Sequence, residues 1–396
     1  MYLLNYKKLS IIFSILAVLL PAHPSLQEIF AIYGIPSVIV SAGFFSLSFL
    51  IFGFFKVNKT FLLVTIVYMI FSIFIILGLL RSPEFGSASW VQVFVSIFVV
   101  TPMVMICAFI ASNNEKLACK IIFTLSGVVL VHVLYKIYSV ESFSGFISLN
   151  SDIENPNYQA TSFYLGLFSI SLISAMASLR RAKLFLVTII FLISCISMSL
   201  VGARSVFVAL TVVFLFSFFM LDRTRLFIIT CVSILTFFTL TFIYPDLVEN
   251  ILIIQRFAAL SGDDSSSRVF LFTSAIELWL LNAKTFLFGS GISSFPLFIG
   301  ANEPGWYPHN FILEILAEIG LFGMIPIFMI LILIFWNFKS VFRNYSEPKI
   351  IIFSYALYAL ISYQFMGGVN SLWIPMFFFL LAIFSSIRIR RKDCSD

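Results

Sequence analysis

Charge is scarce in this chain. Only 11% of its 396 residues are Asp, Glu, Lys or Arg, 61% are hydrophobic, and the mean hydropathy is +1.09. So little polar surface excludes a water-soluble globular domain. Cysteines number five, and none forms a C-x-x-C pair or a metal-ligand spacing, which argues against a disulfide framework or a zinc site. Histidine is scarcer still, with His23, His132 and His309 alone. A P-loop, a dinucleotide fingerprint, an H-E-x-x-H helix and a D-x-D metal pair are all missing. Nothing in the pattern requires a metal or a cofactor.

What is there is a series of apolar runs, near 9–22, 34–55, 60–80, 90–111, 121–140, 160–179, 184–202, 205–221, 226–244, 310–336, 350–366 and 372–387. Helices satisfy their own backbone groups in lipid, and about 20 apolar residues cross it. The runs are continuously apolar, unlike the alternating strands of an outer-membrane barrel. The expected fold is therefore an all-α polytopic membrane protein of about 12 transmembrane helices, forming one integral domain over 1–396. Lys7 and Lys8 precede a short first run, and Pro21-Ala22-His23-Pro24 after it makes a poor cleavage site, so this run reads as a span.

The basic residues give the orientation. With the N-terminus inside and the spans alternating, the inner connections hold Lys7, Lys8, Lys56, Lys59, Lys116, Lys120, Arg180, Arg181, Lys183, Arg223, Arg225, Lys339, Arg343, Lys349 and the cluster from Arg388 to Lys392. Most of the 24 basic residues thus lie on one side, as the positive-inside rule requires, with both termini cytoplasmic. The net charge of +6 is an orientation signal, and no nucleic-acid partner follows from it. Arg81, Arg204, Arg256, Arg268 and Lys284 remain on the outer side and need another reason.

Several of these exceptions gather at a long outer loop, 245–308, much longer than the connections usual between bundle helices. Asp263, Asp264 and the serines after them supply N-cap chemistry for a helix over "SRVFLFTSAIELWL", and "FLFGSGISSF" reads as a Gly/Ser turn. The loop ends in "GWYPHNFILEILAEIG", where His309 stands at the outer mouth of a span with Glu314 and Glu318 behind it. A neutral imidazole there is suited to take a proton from a hydroxyl; the plainer reading is a solvated helix-terminal residue. Intramembrane acids usually face a protein cavity, so the glutamates are functional candidates, or they cap a polar interface or pair with an arginine. Arg204, in "GARSVF" between two spans, offers a guanidinium fork to phosphate oxygens or snorkels to headgroups. Arg256 and Arg268 flank the acidic turn and either bind an anion or pair with Asp263 and Asp264. His132 and Lys136, one turn apart, line a path for a headgroup or merely snorkel.

In this order the motifs resemble the bacterial O-antigen ligase and polymerase family. "GARSVF" matches its turn between central spans, and Arg268, Trp279 and the Gly289/Gly291 pair match its Arg, Trp and Gly-x-Gly series. "PHNFILEILAEIG" is similar to its signature leading into the next span, and "NPNYQA" to its Asn-rich segment. The firm part covers 200–325. The resemblance implies a GT-C-like, metal-independent, inverting glycosyltransferase of the bacterial inner membrane, with its site on the periplasmic side. An undecaprenyl-pyrophosphate-linked oligosaccharide would be donor and, in a polymerase, acceptor too, with membrane lipids around it and a chain-length regulator as a possible partner. His309 would be the base and Arg204 and Arg268 would hold the pyrophosphate. Arg256, Asn310, Glu314, Glu318 and Asn157 would line the substrate site. An O-antigen polymerase is the expected activity, an O-antigen ligase the alternative. A polysaccharide flippase is the reading from another class, and the long outer loop and absent internal repeats count against it.

Overall fold

Serines and glycines spaced through long apolar runs let helices approach closely without leaving polar groups bare in lipid. A computed structural model describes residues 2–24, 26, 37–52, 58–83, 88–139, 157–178, 181–201, 203–220, 263–301, 307–343, 347–366 and 368–392. Among them the regular structure is entirely helical. The expected run 226–244 and Arg256 lie outside the described residues. Among the described residues, five helical stretches are long and apolar enough to cross a membrane, 59–80, 90–139, 158–176, 183–201 and 347–366, and four shorter apolar helices accompany them.

The chain divides into two compact units. The first holds 1–14, 44–115 and 264–396. In it α1 (Tyr2–Leu19) meets α2 (Ser37–Phe52) through Ser10, Ser14 and Ser48, with the Ser14 and Ser48 hydroxyls 2.5 Å apart. The helix α3 (Lys59–Leu80) is apolar on every side: Val64, Val67, Phe71 and Ile75 are buried, while Leu62, Ile66, Met69 and Ile73 are exposed on another stripe. Such all-round hydrophobicity suits a helix with protein on one side and lipid on the other. Next come α4 (Ala88–Val95), a π-turn at Ser96–Val100 and α5 (Thr101–Ala111). The π-turn has a local cause. Thr101 N–H reaches back five residues to Ser96, and the next such bond, to Ile97, cannot form because Pro102 has no N–H. The Tyr68 hydroxyl donates to the Ile97 carbonyl instead.

The second unit holds 15–43 and 116–263. Its described helices are most of α6 (Glu115–Ser139), then α7 (Asn157–Ser178), α8 (Arg181–Val201) and α9 (Arg204–Met220). Helix α7 packs against both α8 and α9. Ser169 and Ser194 share a hydrogen bond of 2.9 Å between α7 and α8, and Gly127 of α6 leaves room for the Phe168 ring.

The rest of the first unit follows the long loop. It comprises α10 (Asp263–Leu280), α11 (Ala283–Phe288), α12 (Ser294–Phe298), α13 (Phe311–Glu318), α14 (Gly320–Arg343), α15 (Glu347–Met366), a 3-10 turn at Val369–Ser371 and α16 (Trp373–Lys392). Helix α16 packs on α5, α14 and α15, and α14 also packs on α3. The Phe61, Phe109 and Phe384 rings, 5.0–5.9 Å apart, tie α3, α5 and α16 together. Lys349 and Glu115 form a mostly buried ion pair at 4.0 Å.

The expected helix over "SRVFLFTSAIELWL" is α10. The run 310–336, expected as one span, is instead two helices broken at Ile319 and Gly320, where the backbone of Gly320 turns left-handed (φ 84°). Glu314 and Glu318 therefore belong to a short helix ahead of the span.

Candidate functional site around His309

The site is assembled on a joint of glycines. Three chain ends converge there: the C-terminus of α3, the "FGSG" turn after α11, and the break between α13 and α14. Helix C-termini leave carbonyls without partners, and the turn supplies them. Ser290 N–H donates to Ala317 O and Gly291 N–H to Glu318 O, both at 2.9 Å, and Ile292 N–H donates to Gly78 O at 3.1 Å. Backbones this close leave no room for side chains. A Cβ on Gly289 would lie 2.2 Å from the carbonyl carbon of Glu318, and one on Gly320 would lie 2.4 Å from the Gly289 nitrogen. Gly289 and Gly291 also have positive φ (71° and 106°), which glycine adopts freely. Arg81 closes the joint, donating through Nη1 to Gly289 O at 3.1 Å and through Nη2 to Phe288 O. Arg81, expected on the outer side, is thus taken up by helix ends, and the Gly-x-Gly motif is a packing element.

Trp279 has a similar role. Its Nε1 donates to Phe286 O at 2.9 Å and its ring stacks on Phe286, which fixes the elbow between α10 and α11. Asn282 and Thr285 form a capping box in the same elbow.

From the elbow α10 runs along α12 and α13. Leu271, Ala275 and Leu278, spaced for one helical face, pack with Phe295 and Ala317, and Ile299 and Leu313 flank them. Arg268 stands one turn before Leu271 on the same stripe, and its guanidinium acts electrostatically on His309. Of the residues proposed from sequence, Arg268 is the one whose charge bears on His309.

His309 is held in an uncommon way. Its φ is 54°, in the left-handed region, a conformation that costs free energy for a residue with a Cβ. The reversal lets Asn310 serve as N-cap of α13, its Oδ1 accepting from Ile312 and Leu313 N–H at 3.0 Å each. The imidazole lies 4.2 Å from the Tyr307 ring, centroid to centroid. His309 Nδ1 is buried and has no hydrogen-bond partner among the described residues. Burial, with the Arg268 charge second, lowers the pKa to about 4. At neutral pH the ring is uncharged and can accept a proton.

The two glutamates have backbone partners. Glu318, 4% exposed, accepts from Phe295 N–H at 3.3 Å, at the start of α12. Glu314, 8% exposed, accepts through Oε2 from Val369 N–H at 3.1 Å, in the turn between α15 and α16. Sequence reasoning missed that turn and Tyr307, whose hydroxyl donates to Met366 O at 3.2 Å. The Gly367-Gly368 pair was the available signal, since paired glycines mark close backbone approach.

Arg204 is the first residue of α9, in the second unit, and is half-buried. Asn157 opens α7 in the same unit. Arg256 is outside the described residues.

Residues 189–328 match a family model described as O-Antigen ligase. A search of curated proteins finds no match. The matched segment runs from α8 through α10 and the glycine joint to His309 and on into α14. That segment, about a third of the chain, is similar to the O-antigen ligase family.

Proposed function

We propose that the protein is an O-antigen polymerase, a membrane glycosyltransferase that moves a saccharide chain from a polyprenyl pyrophosphate onto a lipid-linked repeat unit. The observation that carries this reading is His309: neutral, strained, with a buried unpartnered nitrogen, and beside Arg268. In the step, His309 accepts the proton of the acceptor hydroxyl. The hydroxyl oxygen forms the new bond to the anomeric carbon, and the bond from that carbon to the pyrophosphate oxygen breaks. The pyrophosphate leaves with the electron pair, and attack from the opposite face inverts the anomeric centre. Arg268 and Arg204 are assigned to the pyrophosphate, whose charge a guanidinium fork matches. Arg204 and Arg256 enter through the motif resemblance.

As pyrophosphate arrives it offsets the Arg268 charge, which strengthens His309 as a base in the complex relative to the resting protein. The inner membrane is the assigned location, with the site on the periplasmic side.

A ligase would use the same donor chemistry, and the matched family description favours it as the second reading. Lipopolysaccharide from a deletion strain separates the two. Loss of a polymerase leaves a core bearing one repeat unit; bare core would identify a ligase. Full complementation by a normally produced His309→Ala protein would overturn the assignment of the base.

A further inference from the structure

Resting on the assignment of His309 as base, we propose that the turn between α15 and α16 is part of the active site, and that Tyr307, Gly368 and Glu314 are positioning residues that set the imidazole. The contacts form one connected path. The His309 ring lies on the Tyr307 ring, and the Tyr307 hydroxyl donates to Met366 O at the end of α15. Two residues on, Gly368 lies between the Tyr307 ring and the Glu314 carboxylate. A Cβ built there would be 3.3 Å from Tyr307 Cδ2 and 2.7 Å from Glu314 Oε2. Glu314 in turn accepts from Val369 N–H. It belongs to α13, the helix that His309 and Asn310 open, so it ties the two sides of the site together.

The turn is itself well anchored. Ser371 Oγ donates to Gly368 O at 3.1 Å and accepts from Gly368 N–H at 3.2 Å. The 3-10 turn packs against α4 and the π-turn. A helix irregularity fixed by Pro102 and Tyr68 thus backs the element against which Tyr307 rests. A left-handed histidine reverts to an easier conformation unless its surroundings over-determine it, and this path supplies the restraint.

The path also selects residue types. At position 368 a Cβ would have to displace the Glu314 carboxylate and crowd the Tyr307 ring. Position 307 needs a flat ring with a donor at its tip. Position 314 needs an acceptor about two methylenes from the backbone, which glutamine also provides.

The test reads the imidazole directly and needs no saccharide substrate. Purified full-length protein is treated with diethyl pyrocarbonate across a pH series, and carbethoxylation of the His309 peptide is followed by mass spectrometry. Among the described residues, the charged and titratable groups that bear on this ring are Arg268, from α10, and Tyr307, with Glu314 beyond Gly368. In the wild type the midpoint of the rate profile is expected near 4. In Tyr307→Ala and Gly368→Ala it is expected to rise by about two pH units, toward the ordinary value of 6.5, as the ring becomes hydrated. Tyr307→Phe and Glu314→Gln are expected to keep the wild-type midpoint, and Glu314→Ala to raise it. Unmoved midpoints in Tyr307→Ala and Glu314→Ala, at wild-type melting temperatures, would overturn the proposal, whether or not Gly368→Ala folds. Failure of the catalytic reading has a different sign: His309→Ala would complement a deletion strain whatever the labelling shows.

Discussion

His309 and His23 make an instructive pair, one in each unit. Each is a histidine in an apolar chain, each has its ring against a tyrosine ring, and each has a buried Nδ1 without a hydrogen-bond partner among the described residues. Burial is the main cause lowering both pKa values. Yet His23 is 1% exposed and its Nε2 is engaged by the Leu125 carbonyl at 3.0 Å. Its ring meets Tyr164 edge-on at 5.1 Å, and Tyr164 is itself tied to Leu19 O. His309 is less buried, has a strained backbone, and has an arginine as its electrostatic neighbour. A depressed pKa alone therefore does not mark a base. The proposed role of His309 rests instead on its exposure, its strained backbone and the charge of Arg268.

The sharpest way to break this comparison is to remove each ring. His309→Ala is expected to lower polymer formation on the order of 10²–10⁴-fold, the usual contribution of a general base. His23→Ala is expected to change turnover per folded molecule little. A complementing strain with matched protein levels checks both. Equal losses would mean that the two rings do the same work.

Next in size is the glycine joint. Gly289→Ala forces a Cβ onto the Glu318 backbone, so a loss of about 3 kcal/mol or more is expected from strain and overlap together. Limited proteolysis should open the loop near His309 first, and the His23 region should keep its protection.

Arg268→Gln follows, with an expected 10- to 100-fold loss of turnover from one weakened charge-assisted contact. The same substitution removes a positive charge that disfavours imidazolium, so the acid limb should move upward. In the wild type the rate under kcat/KM conditions should hold as pH falls from 7 and decline only through about 4. Below that the base is protonated and cannot accept. A limb at 6.5 would show that the ring is solvated.

The smallest effect belongs to His23. Losing its bond to Leu125 O is expected to cost on the order of 1 kcal/mol, read as a modest fall in melting temperature.

Much of this was legible in the sequence, and the reasons differ by residue. The apolar runs gave the all-helical membrane-protein class, because lipid imposes long apolar stretches on the residue types directly. Helix α10 was legible from its apolar spacing, and the acidic and serine residues expected to cap it lie within its first turns. His309 and Arg268 stood out as titratable groups that topology left unexplained. The break at Gly320 was hidden inside an unbroken apolar run, since it arises from a turn 30 residues earlier that takes over two carbonyls of α13. Arg81 was noticed as an outer cation, but its partners lie 208 and 207 residues away in sequence. Tyr307 and Gly368 carry no charge, so nothing in a search for charged groups could have found them.

The glycine joint also has a consequence for biosynthesis. The carbonyl of Gly78 and the guanidinium of Arg81 emerge early from the ribosome, and the N–H and carbonyl groups they meet come from residues 288–292. Those residues depend in turn on the close of α13. The end of α3 is therefore completed only after residue 320 has been inserted, and until then its polar groups must be held by headgroups, water or the insertion machinery. A nascent chain halted before that point would present an unfinished helix end, which is a distinct substrate for membrane quality control.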